Sequence, residues 1–186
     1  MSAHCWSITR ASPNALWRSL VLVTRRCDLE GLDRLSDERL KEKRIGVVAG
    51  TPPATYLAVN ALLARAKPYA LVIDTRVDSS AEAMVRDLKQ GDIDVGILWG
   101  PMAGYFLRDE KAAFRVVPLL KDSGRPRLSY RIGMGVRGAD QNWKRQLNRL
   151  IQENQAEINR ILIAFGVPLL DEKDQPITAE SLDRKP

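Results

Sequence analysis

In this 186-residue chain, the residue types and spacing best suited to chemistry lie at Gly50, Thr51 and Pro52, within KRIGVVAGTPPATYLAVNA (Lys43 to Ala61). Arg44 to Ala49 reads as a buried strand, Gly50 as a tight turn, and Thr51-Pro52 as a helix opening. A threonine hydroxyl can accept a hydrogen bond from a first-turn N–H. Proline suits the first helical position, where its missing N–H costs nothing. Such an opening aims N–H groups and the positive end of the helix dipole at the carboxyl end of the strand, where open α/β sheets bind ligands. Either this is an anion-binding turn or it is a plain β-to-α connection with a good cap. Neither a P-loop nor GxGxxG is present, so a nucleotide is not indicated.

Other chemistries find little support. Asp92 and Asp94 could pair as carboxylates, but they sit in a helix-to-strand turn, where aspartate commonly serves local hydrogen bonding. The lone histidine, His4, falls in an N-terminal stretch without periodicity, which disfavours imidazole-based catalysis. Two cysteines, Cys5 and Cys27, show no metal-ligand spacing and neither require nor exclude a disulfide. No cofactor or metal of the chain's own is expected, and no nucleophile–base pair stands out.

The net charge of +6 points to nucleic acid only if it is concentrated. Basic residues exceed acidic ones by 8 to 6 in residues 1–43, by 9 to 8 in 44–120 and by 12 to 9 in 121–186, so no basic block exists. With 45% hydrophobic and 28% charged residues, the composition is that of a globular chain. No apolar run approaches the ~20 residues needed to span a bilayer. Residues 1–16 lack the apolar core of a signal peptide.

The elements that must hold these residues alternate between strand and helix. A loose tail (1–16) precedes a buried strand at Leu20 to Val23. Ser36 is placed to cap a short helical turn, and Leu32, Leu35 and Leu40 are placed to pack beneath the central strand. After a helix at about Pro52 to Ala66, Tyr69 to Asp74 (YALVID) reads as a second strand. Ser79-x-x-Glu82 is a capping box, and the helix it opens stops at Gly91. Strands follow at Val95 to Trp99, Phe114 to Leu119 and Leu128 to Arg137, with a helix after Gly100-Pro101. Asp140 is placed to cap a helix from Gln141 to Phe165, whose apolar residues recur at three- and four-residue steps. At that length it spans roughly 37 Å. This alternation implies a parallel-type α/β sheet. The strands at 20–26 and 128–137 flank a self-contained block at 44–120, which implies two crossings and a hinge.

The runs VLVTRR, GLDRLSDERLKEKRIGVVAGTPPATYL, VIDTRVDSSAEAMVRDLKQGDIDVGILWGPMAGYF and GMGVR…WKRQLNRLIQENQAEINRILIAFGVPLLDE resemble type II periplasmic solute-binding proteins. More narrowly, they resemble the quinoprotein-dehydrogenase-associated family of the MxaJ/XoxJ type, encoded beside PQQ methanol dehydrogenases. The resemblance covers about residues 17 to 175, and GTPPAT, IDTRV, GDIDV and ILWGP carry it most specifically. It implies a periplasmic α/β clamshell with one lobe complete (44–119) and the other partial (17–43 and 120–186). An export signal and most of a first lobe are expected ahead of Leu20, where MSAHCWSITRASPN stands, so the sequence reads as an N-terminally shortened member. The implied role is a non-catalytic accessory that docks to a PQQ-dependent methanol or alcohol dehydrogenase, the dehydrogenase carrying the PQQ and metal. The alternative is the binding component of a transporter for a small organic solute, anionic or aromatic.

In related binding proteins the second lobe offers a threonine-bearing helix opening to a ligand carboxylate, and Gly50, Thr51 and Pro52 match that position. The aspartate that pairs with an amino-acid ammonium is replaced here by Trp99, which argues against ordinary amino-acid binding. Trp99, Gly100 and Pro101 could line a larger, flatter pocket, or simply pack a strand end. Thr75 and Arg76, at the end of the second strand, face the same crevice; Arg76 binds an anion or pairs with Asp78. Tyr105 covers the pocket from its helix or belongs to the core. Lys144, Arg145, Arg149, Glu153, Glu157 and Arg160 form the polar side of the long helix, either solvated or a docking surface.

Overall fold

The structure, a computed structural model, describes residues 6–8, 17–74, 76–122, 126, 128–131, 133–170 and 176–178. Two compact units divide it: Ser19–Ser129, and a second made from the described residues within Met1–Arg18 and Tyr130–Pro186. The chain passes between them twice, at 18–19 and at 129–130.

In the order of the chain, the strands are β1 (Trp6–Ile8), β2 (Trp17–Arg25), β3 (Ile45–Val48), β4 (Ala66–Tyr69), β5 (Val95–Trp99), β6 (Phe114–Pro118), β7 (Ser129–Arg131), β8 (Gly135–Arg137), β9 (Leu169–Leu170) and β10 (Pro176–Ile177). The helices are α1 (Pro52–Val59), α2 (Ser80–Gln90), α3 (Gly100–Leu107), α4 (Gln141–Glu153) and α5 (Gln155–Ala164).

The Ser19–Ser129 unit is built on a sheet of order β4-β3-β5-β2-β6, with β7 also pairing β2. Strand β3 runs parallel to β4 and β5, whereas β2 runs antiparallel to β5 and β6. Both faces are covered, which is why the strands are apolar runs rather than alternating ones. Val21 and Val23 turn toward Met84 and Leu88 of α2 and Leu107 of α3. Leu22, between them, turns to the opposite core with Leu57 of α1, Leu35 and Leu40. Leu32, Leu35 and Leu40 are buried as their spacing predicts, but Asp37 rather than Ser36 caps the short 3₁₀ turn Glu38–Glu42.

This unit takes in more chain than the 44–119 block expected from sequence. Within its sheet β2 is an interior strand between β5 and β6. An apolar run without alternation is accommodated only where both of its faces are covered, and this sheet supplies both.

Other expectations are also corrected. Helix α1 ends at Val59, because the Asn60 side chain donates to Tyr56 O (2.8 Å) and Ala61 takes a positive φ of 54°. YALVID is not a strand: pairing ends at Tyr69, and Leu71 and Val72 (89% exposed) leave the sheet. The strand lies upstream, at Ala66–Tyr69, on the border of the sheet, and it contains Lys67 and Pro68. By contrast, α2 forms with half of its expected capping box: the Ser79 hydroxyl accepts from Glu82 N–H (3.3 Å), but the Ser79 N–H donates to Asp78 Oδ1 (2.7 Å), and Gly91 closes the helix at φ +79°.

In the second unit β1 pairs antiparallel with β8, and β9 with β10. The expected strand 128–137 is two short strands, β7 and β8. The expected long helix is broken at Asn154, whose side chain donates to Leu150 O (2.8 Å). Asp140 stands at the start of α4 but forms no cap; its carboxylate pairs with Arg137 instead (2.9 Å). The apolar stripe is poorly covered, with Trp143, Leu150 and Ile161 each 50% exposed. Gln155 and Asn159 are buried instead, joined by a 2.9 Å hydrogen bond. No described helix is long and apolar enough to cross a membrane.

Candidate functional site

Because β3, β4 and β5 are parallel neighbours, their carboxyl ends share one edge of the Ser19–Ser129 unit. That edge gathers Gly50, Thr51 and Pro52 after β3, Arg76 in the loop after β4, and Trp99, Gly100 and Pro101 after β5. Thr75 lies outside the described residues. Antiparallel β2 begins at the same edge, where Leu20 is in register with Trp99 and its N–H donates to Leu128 O (2.8 Å). Both points where the chain enters and leaves this unit, Ser19 and Ser129, therefore stand beside the candidate residues.

Gly50 adopts φ +72°, a left-handed turn conformation that glycine enters without steric cost. It lets the chain turn from β3 into α1. A side chain there would come within 3.6 Å of Leu71 Cδ2, so the Leu71–Val72 loop lies against this turn. Thr51 occupies the N-cap, but its hydroxyl donates back to Val48 O (2.5 Å) and caps no helical N–H. Pro53, at the second helical position, has no N–H to offer it, which leaves Ala54 as the one usual capping donor.

Arg76 pairs with Asp74, not Asp78: Nε and Nη2 reach the two carboxylate oxygens at 2.9 and 2.7 Å. That hydrogen bonding holds the Asp74 carboxyl below its usual range. Trp99 is half-buried and precedes the first turn of α3, which begins at Gly100 with Pro101 next. Tyr105 lies in the second turn of α3, exposed, with Arg108 4.5 Å above its ring centre and the Phe106 ring edge-on at 5.3 Å.

The opposite edge of the same sheet holds a feature the sequence did not flag. A polar cavity of about 320 Å³ is lined by Arg25, Cys27, Asp28, Leu29, Lys43 and Asp94. Asp94 is not engaged in a local turn. It accepts from Arg44 Nη2 (2.8 Å), Nε (3.1 Å) and backbone N–H (2.9 Å), with Arg25 at 3.5 Å. The Arg44 hydrogen bonds outweigh partial burial and hold its pKa at about 2. Arg25 also donates to Leu88 O (2.9 Å) and Ile93 O (3.1 Å), stapling the α2–β5 turn to β2. Spacing alone could not find these partners, which are dozens of residues apart in sequence.

Among the described residues no cluster of three His, Cys, Asp or Glu side chains could hold a metal ion. Cys27 carries a free, exposed thiol. His4 and Cys5 lie outside the described residues.

No protein-family model matches the chain. The crystal structure of the periplasmic binding protein XoxJ from Methylobacterium extorquens AM1 is similar at TM-score 0.74 and 36% identity, covering 90% of this chain and 75% of that one. The crystal structure of MxaJ from Methlophaga aminisulfidivorans MPT shares the fold at TM-score 0.66 and 15% identity, covering 89% and 74%. In sequence, 101 residues are 30% identical to Protein MoxJ of Methylorubrum extorquens. That stretch is 52% of this chain and only a third (33%) of the curated relative's length.

Proposed function

The chain belongs to the MxaJ/XoxJ type of periplasmic binding protein, within the type II solute-binding superfamily, and on that premise we propose that it is a non-catalytic periplasmic accessory of a PQQ-dependent methanol or alcohol dehydrogenase. The observation that carries the proposal is the 36% identity to XoxJ over three quarters of that protein. The action is docking: the accessory contacts the dehydrogenase and promotes its maturation or activation, while PQQ and metal stay with the enzyme.

The test uses the purified chain and a purified PQQ-dependent methanol dehydrogenase from the same organism. Co-elution in size-exclusion chromatography, with a rise in dehydrogenase activity, is the expected result. Two separate peaks and unchanged activity would end the proposal.

A second reading, a receptor that hands a small organic solute to a transporter, draws on one observation. The openings of α1 and α3 stand together at the edge where α/β sheets bind ligands. A solute-induced rise in melting temperature without dehydrogenase co-elution would favour it.

A further inference from the structure

The cavity of about 320 Å³ on the far edge of the sheet is bounded by Arg25, Cys27, Asp28, Leu29, Lys43 and Asp94. Most of its polar groups are already engaged. Arg25 directs Nε to Asp28 Oδ2 (2.7 Å) and Nη1 to Leu88 O and Ile93 O (2.9 and 3.1 Å). Its Nη2 lies 2.7 Å from Asp28 and 3.5 Å from Asp94. Both oxygens of Asp94 accept from Arg44. The loop on one side is held in shape, because Arg39 Nη1 donates to Glu30 O (2.9 Å) and Leu32 N–H donates to Leu29 O (3.1 Å). Leu29 keeps φ +51°, a left-handed conformation that a non-glycine residue holds only where its surroundings fix it. The cavity is therefore preformed, and its volume lies at the small end of those that take ligands.

Two groups retain capacity. Half-buried Lys43 carries three N–H donors, and among the described residues its side chain forms no ion pair or hydrogen bond. The one described donor to Asp28 Oδ1 is the weak Cys27 thiol at 3.7 Å. Arg25 balances Asp28 and Arg44 balances Asp94, so Lys43 leaves a surplus of one positive charge. We propose that this cavity binds a small hydroxycarboxylate anion, its carboxylate on Lys43 and its hydroxyl donating to Asp28 Oδ1. A simple carboxylate leaves Asp28 Oδ1 without its donor, and a polyol leaves the Lys43 charge unmet. An amino-acid zwitterion carries no net charge to offset the surplus. The cavity stands at the edge opposite Gly50, Thr51 and Trp99, so the inference goes beyond the docking reading and does not depend on it.

The test is calorimetric titration of the full chain at pH 7 with sodium lactate, and with sodium acetate, glycerol and glycine as controls. Lactate should give saturable heat, and each control should bind at least about tenfold more weakly. Saturating lactate should also slow alkylation of Cys27 by iodoacetamide, read in a Cys5→Ser background where Cys27 is the single thiol. Lys43→Met leaves the backbone bond from residue 43 to Leu40 O in place. It should keep the wild-type melting temperature and lose lactate affinity by about tenfold or more. No saturable lactate heat, a control that binds as tightly as lactate, or unchanged affinity in Lys43→Met would each overturn the proposal. So would an alkylation rate that lactate leaves unaltered.

Discussion

Gly46 of β3 and Gly96 of β5 stand side by side in register, and Met84 of α2 lies against both. Neither strand has a side chain at that level, so the helix packs close to the backbone and its Leu88 reaches Gly96 as well. A Cβ on Gly46 would stand 2.6 Å from Ile93 Cδ1, 3.0 Å from Met84 Cγ and 3.1 Å from Tyr69 Cε2.

Gly46→Ala is expected to destabilise the fold by about 1–3 kcal/mol through overpacking, read as a lower midpoint in urea. Gly96→Ala should cost less, because its nearest atoms, Leu88 Cδ1 at 3.0 Å and Met84 Sδ at 3.1 Å, lie farther off than the 2.6 Å contact at Gly46. An unchanged midpoint for both would mean that α2 does not sit in this furrow.

The Asp94–Arg44 pair sets the acid limb of stability. Asp94 titrates at about 2 when folded, against 3.8 unperturbed. Its contribution is therefore complete above about pH 4 and lost as pH falls toward 2. The shift alone corresponds to about 2 kcal/mol; Arg44 is half-exposed, which reduces this to about 1 kcal/mol. Asp94→Asn should lower stability at pH 7 by at least that much, since the partly buried Arg25 also loses a partner. Its stability should also fall less than wild type between pH 4 and 2. Parallel acid limbs for the two proteins would refute the assignment.

Buried Asp87 accepts from the Tyr69 hydroxyl and pairs with Lys67 Nζ (2.7 Å). Burial first, then the Asp87 hydrogen bond, raises the Tyr69 phenol well above its ordinary 10. Spectrophotometric titration should therefore find one tyrosine ionising only with unfolding. Its stabilising contribution is present below pH 10 and lost as pH rises further, because the unfolded chain releases that proton first. Tyr69→Phe should abolish the anomalous titration and cost about 1–2 kcal/mol at pH 7 by leaving Asp87 short of a donor.

Much of the sheet was legible from local signals: the unbroken apolar runs at Leu20–Val23 and Val95–Trp99, and α2 with its serine cap and closing glycine. What failed depended on partners. Leu71 and Val72 look like strand residues, yet pairing stops at Tyr69 and the loop turns out to meet Gly50. The α4–α5 pattern continues through residue 154 without Gly or Pro, so a break made by the Asn154 side chain bonding to Leu150 O left no trace in the periodicity. For the candidate site, strand order alone brings Gly50, Thr51 and Trp99 to one edge. The inward turn of the Thr51 hydroxyl and the choice of Asp74 by Arg76 are rotamer outcomes that residue types do not dictate.

Strand β4 borders the sheet on one side. Tyr69 O accepts the Ala49 N–H (2.9 Å), so the alternating backbone turns the Pro68 nitrogen outward, where it carries no hydrogen. A foreign strand seeking to extend the ladder meets a gap where its first bond belongs, so this border resists recruitment into intermolecular β-structure even when the protein is concentrated.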